Sequence, residues 1–323
     1  MKHIFIINPA AGKTNAYHEI EAAISALPIA ADCQIYLTKA SGDATTFVHE
    51  YCKQHTDPVR FYACGGDGTL NEVVSGVVHY PQASLGCYPC GSGNDFVKYY
   101  GGKEYFLDVK ALIDADEEEI DLMRVGNRYA INATHFGFDS CVANTMTKVR
   151  RKKLIGGKNA YTTGIVVGLL KAMKNTCRVS ADGELLNEEG KLLLCTIANG
   201  QYVGGAYRCA PRSLDNDGLL EVCAVRPMSQ LRFLSLINEY KKGTHLENPK
   251  LKKYIIYRRA KSVTVEAPEG FVYLLDGELL TSPRFTVEIL PRAIRFAVPK
   301  NAVRHSNNER FAAVKEQKEP VGV

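Results

Sequence analysis

The stretch Gly65-Gly66-Asp67-Gly68-Thr69-Leu70-Asn71-Glu72 combines three glycines with two carboxylates and an amide. Glycine lets a bound group approach the main chain, because no Cβ stands in the way. Leu70, Val73, Val74, Val77 and Val78 then recur at helical spacing, so the turn offers backbone N–H groups at a helix N-terminus, where an anion is favoured. An anion site that carries its own acids needs a cation between them. The chemistry this suggests is Mg²⁺ with a polyphosphate. A Gly-Gly pair alone fits any tight strand-to-helix connection; Asp67, Asn71 and Glu72 set this one apart. Gly91-Ser92-Gly93-Asn94-Asp95-Phe96 is a second glycine-rich turn with a carboxylate, and Asn8-Pro9-Ala10-Ala11-Gly12-Lys13 resembles a phosphate loop without the Gly-x-x-x-x-Gly-Lys-Ser/Thr spacing. Asp276-Gly277-Glu278 puts two carboxylates on a turn after an apolar run, where an acid can serve as a general base if it faces the glycine loops. From spacing alone, Asp217-Gly218 reads as an ordinary hairpin turn.

Those turns need a frame that gathers them. Apolar runs at 3–7, 34–37, 60–64 and 84–87 alternate with helical patterns at 17–27, 43–54 and 70–78. This alternation predicts a mainly parallel sheet. Open α/β sheets bind ligands beyond the C-terminal ends of their strands. Asn8, Thr38, Asp67, Ser92 and Asp95 would therefore meet at one edge, although Thr38 serves equally well as a helix cap. From residue 119 the pattern changes to a hairpin, 120–125 and 128–135 around Gly126-Asn127, and a second domain is expected to start there. It continues with a helix over 161–175, strands at 191–198 and 219–225, a helix over 229–242, and strand-like runs at 254–267 and 271–275. Two strands are expected within 284–298, then a polar, disordered tail.

At 323 residues and 46% hydrophobic content the chain can bury the cores of two domains. The apolar run at the N-terminus is too short for a secretory signal, and no stretch approaches membrane-spanning length. The ten cysteines are scattered through apolar runs and read as reduced cytoplasmic thiols. The one close pair, Cys87 and Cys90, lacks the second pair or histidines of a zinc site. The net charge of +5 is modest, but basic residues cluster at 148–158 and 241–261 while acids collect at 114–121. A basic run is most often a solvated face. The alternatives are nucleic acid, for which no motif is present, and an anionic membrane surface.

Taken together, Asn8-Pro9-x-x-Gly12-Lys13, Gly65 to Glu72, Gly91 to Phe96, Leu214-Asp215-Asn216-Asp217-Gly218-Leu219 and Asp276-Gly277-Glu278 resemble, in that order, the bacterial soluble lipid kinases of the diacylglycerol kinase type, relatives of sphingosine and ceramide kinases. The resemblance covers nearly the whole chain. The Gly-Gly-Asp-Gly-Thr motif alone would not distinguish NAD kinases or phosphofructokinases. It implies an α/β protein of two domains: an N-terminal three-layer nucleotide-binding domain with a mainly parallel sheet (1–125 plus about 288–303), and a C-terminal β-rich, sandwich-like domain (126–287), with 304–323 as the tail. It also implies that ATP meets Asn8, Gly12, Lys13, Thr38, Gly66, Asp67, Gly68, Thr69, Leu70, Asn71, Glu72 and Ser92. By the same resemblance Asp67, Asp95 and Asp121 form a water-linked network for the catalytic Mg²⁺, and Asp67 and Glu278 are catalytic, Glu278 as the base. Asp217, with the carbonyls of Leu214 and Leu219, would bind a structural Mg²⁺. Relatives commonly carry Thr in the Asn-Pro loop and in the Asn-Asp-Phe motif, where this chain has Ala10 or Ala11 and Ser92. The implied reaction is phosphorylation of diacylglycerol to phosphatidic acid. The alternatives are another lipid alcohol, such as a sphingoid base, ceramide or an undecaprenol-like alcohol, and a non-catalytic regulator of the same fold. The expected location is the cytoplasm, docked on the inner face of the cell membrane through 148–158 and 241–261. A homodimer is compatible with the sequence.

Overall fold

A computed structural model describes residues 1–12, 16–149, 152 and 159–304. Lys13 and most of the basic segment 148–158 lie outside the described residues, as do residues 305–323. The chain begins with β1 (Lys2–Ile7), α1 (Ala16–Ser25), β2 (Cys33–Leu37), α2 (Asp43–Gln54), β3 (Val59–Gly65), α3 (Asp67–Val77) and β4 (Ala83–Pro89). The four strands lie side by side in the order β2-β1-β3-β4, all parallel. β3 and β4 are buried along their whole length, as central strands of a parallel sheet covered on both faces must be, and their sequences are accordingly almost continuous apolar runs. Parallel pairing aligns the strand ends: Ile7 lies opposite Cys64, and Gly65 opposite Pro89. The loops after β1, β3 and β4 are therefore neighbours although they are far apart in sequence.

The chain continues with α4 (Val109–Ile113), β5 (Asp116–Val125), β6 (Arg128–Ala130), β7 (Ala133–Gly137), α5 (Phe138–Val149), α6 (Ala160–Lys171), β8 (Asn175–Thr176), β9 (Arg178–Ala181), β10 (Glu184–Leu185), β11 (Lys191–Leu192), β12 (Leu194–Ala198), β13 (Leu220–Val225), α7 (Gln230–Lys242), β14 (Ile255–Ala260), β15 (Ser262–Glu266), β16 (Val272–Leu275), β17 (Glu278–Thr281) and β18 (Arg284–Val298). An antiparallel sheet β14-β13-β12-β7-β16-β17 forms one layer of the C-terminal half. Its apolar face packs against β9, β15 and the first half of β18, through Phe136, Ile197, Val222, Val263 and Val287. Its other face is covered by α5, α6 and α7.

Three elements differ from the expectation drawn from sequence. Residues 284–298 form one strand, not two. β18 pairs with β15 through its first half and reaches β4 through Phe296, while β5 follows it on both sides of a register shift between Leu290 and Ile294. The break contains Pro291 and Arg292, the latter in the left-handed region at φ 50°, so the turn-like sequence encodes a bulge that lets one strand serve both halves. Residues 254–267 divide at Lys261 into β14 and β15, which belong to different sheets. Arg304, where the tail was expected to begin, lies 3.6 Å from the fully buried Asp215.

Two buried histidines give this fold an acid sensitivity. His3 hydrogen-bonds the Tyr62 hydroxyl at 2.8 Å, and His245 is fully buried beside Cys223. Burial, reinforced by Arg60 in the case of His3, pushes each down to about 4. Both folded values lie below the ordinary value of 6.5, so the stability they contribute is complete above that value and declines as the pH falls from there towards 4. Across that window each histidine should cost up to about 1.4 kcal/mol per pH unit. Urea unfolding at a series of pH values, compared with His3→Gln, should show the dependence reduced in the variant. Identical pH profiles would exclude His3 as a source.

Candidate active site

The loops at the ends of the parallel strands enclose a polar cleft of about 1230 Å³. Asn8, Gly12, Thr38, Gly66, Gly68, Thr69, Glu72 and Ser92 line it. Asn8 accepts from the Ala10 N–H and donates to Thr69 Oγ1 at 3.2 Å, which ties the first loop to α3. Gly66 caps α3 in extended conformation, and the first-turn N–H groups of this helix have no intrahelical partner. They open a positive helix end into the cleft. Glu72 accepts from the Gly42 N–H at 2.8 Å and holds the loop that carries Thr38. Three of the described residues expected in the ATP site do not line this cleft, Asp67, Leu70 and Asn71. Leu70 lines the neighbouring apolar cavity, and Asn71 donates to the Tyr129 carbonyl at 2.8 Å and to Asp276 at 3.0 Å. They lie on the side of α3 that meets the second domain, a direction helical spacing alone does not reveal.

Asp67 stands at the start of α3 and accepts from the Asn94 N–H at 2.8 Å and the Asp95 N–H at 2.7 Å. Burial and then the nearby Asp95 carboxylate push it up to about 6, against the pull of those two N–H groups. A Cβ placed at Gly93 would overlap Asp67 Oδ2 and lie 3.9 Å from Asp95 Oδ2, so the two carboxylates border one small gap. Lys98, at 2.6 Å from Asp95, neutralises only part of this charge. Two neighbouring carboxylates are a donor set of the kind that divalent cations take. Among the described residues no three acids, histidines or cysteines converge into a cage, and Mg²⁺ is content with one or two carboxylates and water.

Asp121 departs from the expected network. It lies on β5 with its backbone N–H bonded to the Asp215 carbonyl, and its carboxylate accepts from the N–H groups of Gly218 and Arg292 at 2.7 and 2.8 Å. Its role here is to hold the β18 bulge and the loop of Asp217. Asp217 is ion-paired with Arg259, which also lies 2.8 Å from Glu221. Glu221 is almost wholly buried and is pushed by that burial up to about 7. Asp217 and Glu221 thus share one guanidinium, and the nearby Asp121 carboxylate adds to the burial that raises the Asp217 pKa. Arg259 and Arg258, the latter 3.4 Å from Glu184, keep exposed side chains but are paired with carboxylates of this chain, which leaves them less free than the other cations of the expected basic docking segment 241–261.

On the other side of Asp67 lies a mostly apolar cavity of about 570 Å³. Its walls come from α5, α6, α7 and the sheet edge, including Phe138, Val142, Ile165, Phe233 and Ile237, with Asp67, Ser92, Asp95, His135 and Asp276 as the polar groups at one end. The sequence singles out the Asp276-Gly277-Glu278 turn but neither His135 nor Asp139. Asp276-Gly277 is a two-residue hairpin turn with both residues at positive φ, 45° and 87°, and joins β16 to β17. Its carboxylate accepts from Asn71 and from the N–H groups of Ile131, Asn132 and Ala133, latching the hairpin to α3 and to the start of β7. His135 Nδ1 lies 2.5 Å from Asp139 Oδ2. Burial opposes a charge on this imidazole, but the Asp139 carboxylate outweighs it and raises the pKa. The available signal was the His-x-x-x-Asp spacing, hidden because it crosses from a strand into a helix. Glu278 opens β17 with its carboxylate exposed and paired with Arg128 at 2.9 Å; Gly277, not Glu278, lines the cavity.

A cleft with a positive helix end and, beside it, an apolar cavity that carries an acidic pair have the form of a two-domain kinase with an apolar acceptor. Residues 2–125 match the family model described as the diacylglycerol kinase catalytic domain, and residues 132–298 match the one described as the YegS C-terminal NAD kinase beta sandwich-like domain. A Pseudomonas fluorescens protein named "Probable lipid kinase YegS-like" is 31% identical over 90% of this chain and 94% of its own length. A Chromohalobacter salexigens protein of the same name is 30% identical over 83% of this chain and 84% of its own. The crystal structure of a diacylglycerol kinase from Bacillus anthracis superposes with a TM-score of 0.68 over 94% of this chain and 98% of that one; at 22% identity it supports the fold. The chain belongs to the bacterial YegS and diacylglycerol-kinase-like family of ATP-dependent lipid kinases.

Proposed function

We propose that the protein transfers the γ-phosphoryl group of ATP to the hydroxyl of diacylglycerol at a membrane surface, giving phosphatidic acid and ADP. One observation carries this reading: Gly66 and Gly68 line the polar cleft, Asp67 between them lines the apolar cavity, and Ser92 lines both. A phosphate held on the glycine turn and a hydroxyl brought in by an apolar tail would meet at that point. Asn8, Gly12, Thr38, Gly66, Gly68, Thr69 and Ser92 would bind and orient the nucleotide, and the apolar walls would exclude water from the acceptor. Asp67 and Asp95 would hold Mg²⁺, which offsets the charge of the transferred group when bound. Asp217 would hold a separate cation that braces its loop. Glu278 would take the hydroxyl proton as the new P–O bond forms and ADP leaves. The nucleotide part is assigned to 1–125 with about 288–303, and the acceptor part to 126–287; the pairing of β18 with β4 and β5 supports this division.

The reading is tested by incubating the protein with γ-labelled ATP and mixed vesicles containing diacylglycerol, a sphingoid base, ceramide or undecaprenol. Label is expected in extractable phosphatidic acid. Label in a different lipid would replace the acceptor, and label in none would overturn the reading. Asp67→Asn is expected to slow single-turnover transfer roughly 10²- to 10³-fold, the scale for removing a preorganised electrostatic group. A transfer rate equal to that of the unaltered protein would remove Asp67 from the reaction.

A further inference from the structure

We propose that the outer faces of α6 and α7 are the surface by which the protein docks on an anionic bilayer. This rests on the lipid-kinase reading above and adds the place of contact. α6 carries Ile165, Val166, Val167, Leu169 and Leu170 within six residues, which puts apolar side chains all round the helix. A helix of that kind belongs in an interior, yet α6 lies at the surface. Its small residues are turned inward. Ala160, Gly164 and Gly168 are buried, and a Cβ at Gly164 or Gly168 would press on Val142 or Phe138 of α5. Two of its bulky residues are turned outward, Leu170 at 74% exposed and Val166 at 51%, while Ile165 and Leu169 pack inward. α7 repeats this reversal at the adjoining end. Gln230 donates to the Leu169 carbonyl at 2.8 Å, and the next residue, Leu231, is 83% exposed, with Leu234 also exposed.

Charge identifies the occupant. Lys171, Lys174, Arg232, Lys250, Lys252 and Lys253 are exposed around these leucines, and the last four residues border one surface groove. No Asp or Glu occurs in 159–174, 229–238 or 248–254. Among the described residues none of these cations has a carboxylate partner. Apolar side chains ringed by cations whose charge no carboxylate offsets complement the acyl boundary and the anionic headgroups of one bilayer leaflet, although Arg232 and Lys253 also contact Tyr254. The opposite sides of the same helices, through Ile165, Phe233 and Ile237, wall the apolar cavity, so the docking face is continuous with the acceptor site. No described helix is long and apolar enough to cross a membrane, so contact would be by adhesion to the surface.

The test is sedimentation of the full chain with vesicles of phosphatidylglycerol and phosphatidylcholine, or of phosphatidylcholine alone. Leu170→Ser/Leu231→Ser/Leu234→Ser should lower partition onto anionic vesicles at least about tenfold, because bound apolar area sets the strength of such contacts. Lys250→Ser/Lys252→Ser/Lys253→Ser should bind more weakly and lose most of the salt dependence. None of these six residues lines the cavity, so phosphorylation of a short-chain, detergent-dispersed diacylglycerol should match the unaltered protein. Unchanged partition of the leucine variant would overturn the proposal, as would equal binding of the unaltered protein to neutral vesicles. A protein that sediments as a dimer and becomes a monomer in the leucine variant would assign the face to a second copy instead. If the unaltered protein docks but phosphorylates no lipid, the docking surface stands and the lipid-kinase reading fails.

Discussion

Glu278→Gln is expected to lower turnover roughly 10²- to 10⁴-fold, the usual cost of losing a positioned base, while ATP binding is retained. Glu278 lies one residue beyond the Asp276-Gly277 turn, and that turn is fixed by the four donors that converge on the Asp276 carboxylate. A base at this position would ride on a rigid support, next in sequence to Gly277, which lines the cavity. Only its side chain has to move. Its partner Arg128 holds it on an exposed surface, and pairs of that kind contribute about 0–1 kcal/mol, so an entering hydroxyl can displace the arginine at little cost. Arg128→Ala should consequently leave turnover close to that of the unaltered protein. Single-turnover transfer to diacylglycerol, with nucleotide affinity measured separately, decides the matter. Full turnover in Glu278→Gln would remove Glu278 from the reaction and turn attention to the titratable groups that do line the cavity, His135, oriented by Asp139, and Asp67.

The parallel half of the fold was legible because its signals are local: β3 and β4 are buried on both faces and so read as apolar runs, and each is followed by glycines. The glycine turns and Asp67 followed from the same logic. What escaped the sequence was direction. Leu70 and Asn71 share the motif with Thr69 and Glu72 but point to the second domain, and Asp121 pairs with a loop 97 residues away. Arg259 looked like part of a solvated basic run, yet it neutralises Asp217 and Glu221. Long-range partners of this kind leave no periodicity, so residue type alone suggests the chemistry without showing where it is used. The exposed Val166 and Leu170 of α6 illustrate the reverse case: the apolar run was visible, but the outward orientation of these two required the packing of Gly164 and Gly168 on α5.

Gly91→Ala is expected to weaken ATP binding more than about 100-fold, on the scale at which a misplacement of about 1 Å in a binding frame is felt. The N–H groups of Cys90 and Gly91 both donate to the Gly65 carbonyl, at 3.0 and 3.1 Å, which draws the loop after β4 onto the loop after β3. At the point of closest approach glycine meets glycine. A Cβ at position 91 would overlap the Gly66 Cα and lie 3.0 Å from the Gly66 nitrogen, and neither backbone atom can rotate away as a side chain would. The loops must separate, which should also cost about 1–3 kcal/mol of stability, as overpacking does. Gly68→Ala separates this strain from simple obstruction of the cleft. A Cβ there meets nothing within 4 Å, and alanine favours a helix, so the variant should melt at or above the temperature of the unaltered protein. Its added methyl group would nevertheless stand in the cleft where the phosphates are proposed to lie, and ATP affinity should fall. Calorimetric titration with ATP beside thermal unfolding distinguishes the two: Gly91→Ala should lose both affinity and stability, Gly68→Ala affinity alone. If Gly91→Ala keeps both, the contact between the loops does not shape the nucleotide site. If Gly68→Ala binds ATP normally, the phosphates do not rest on the α3 N-terminus.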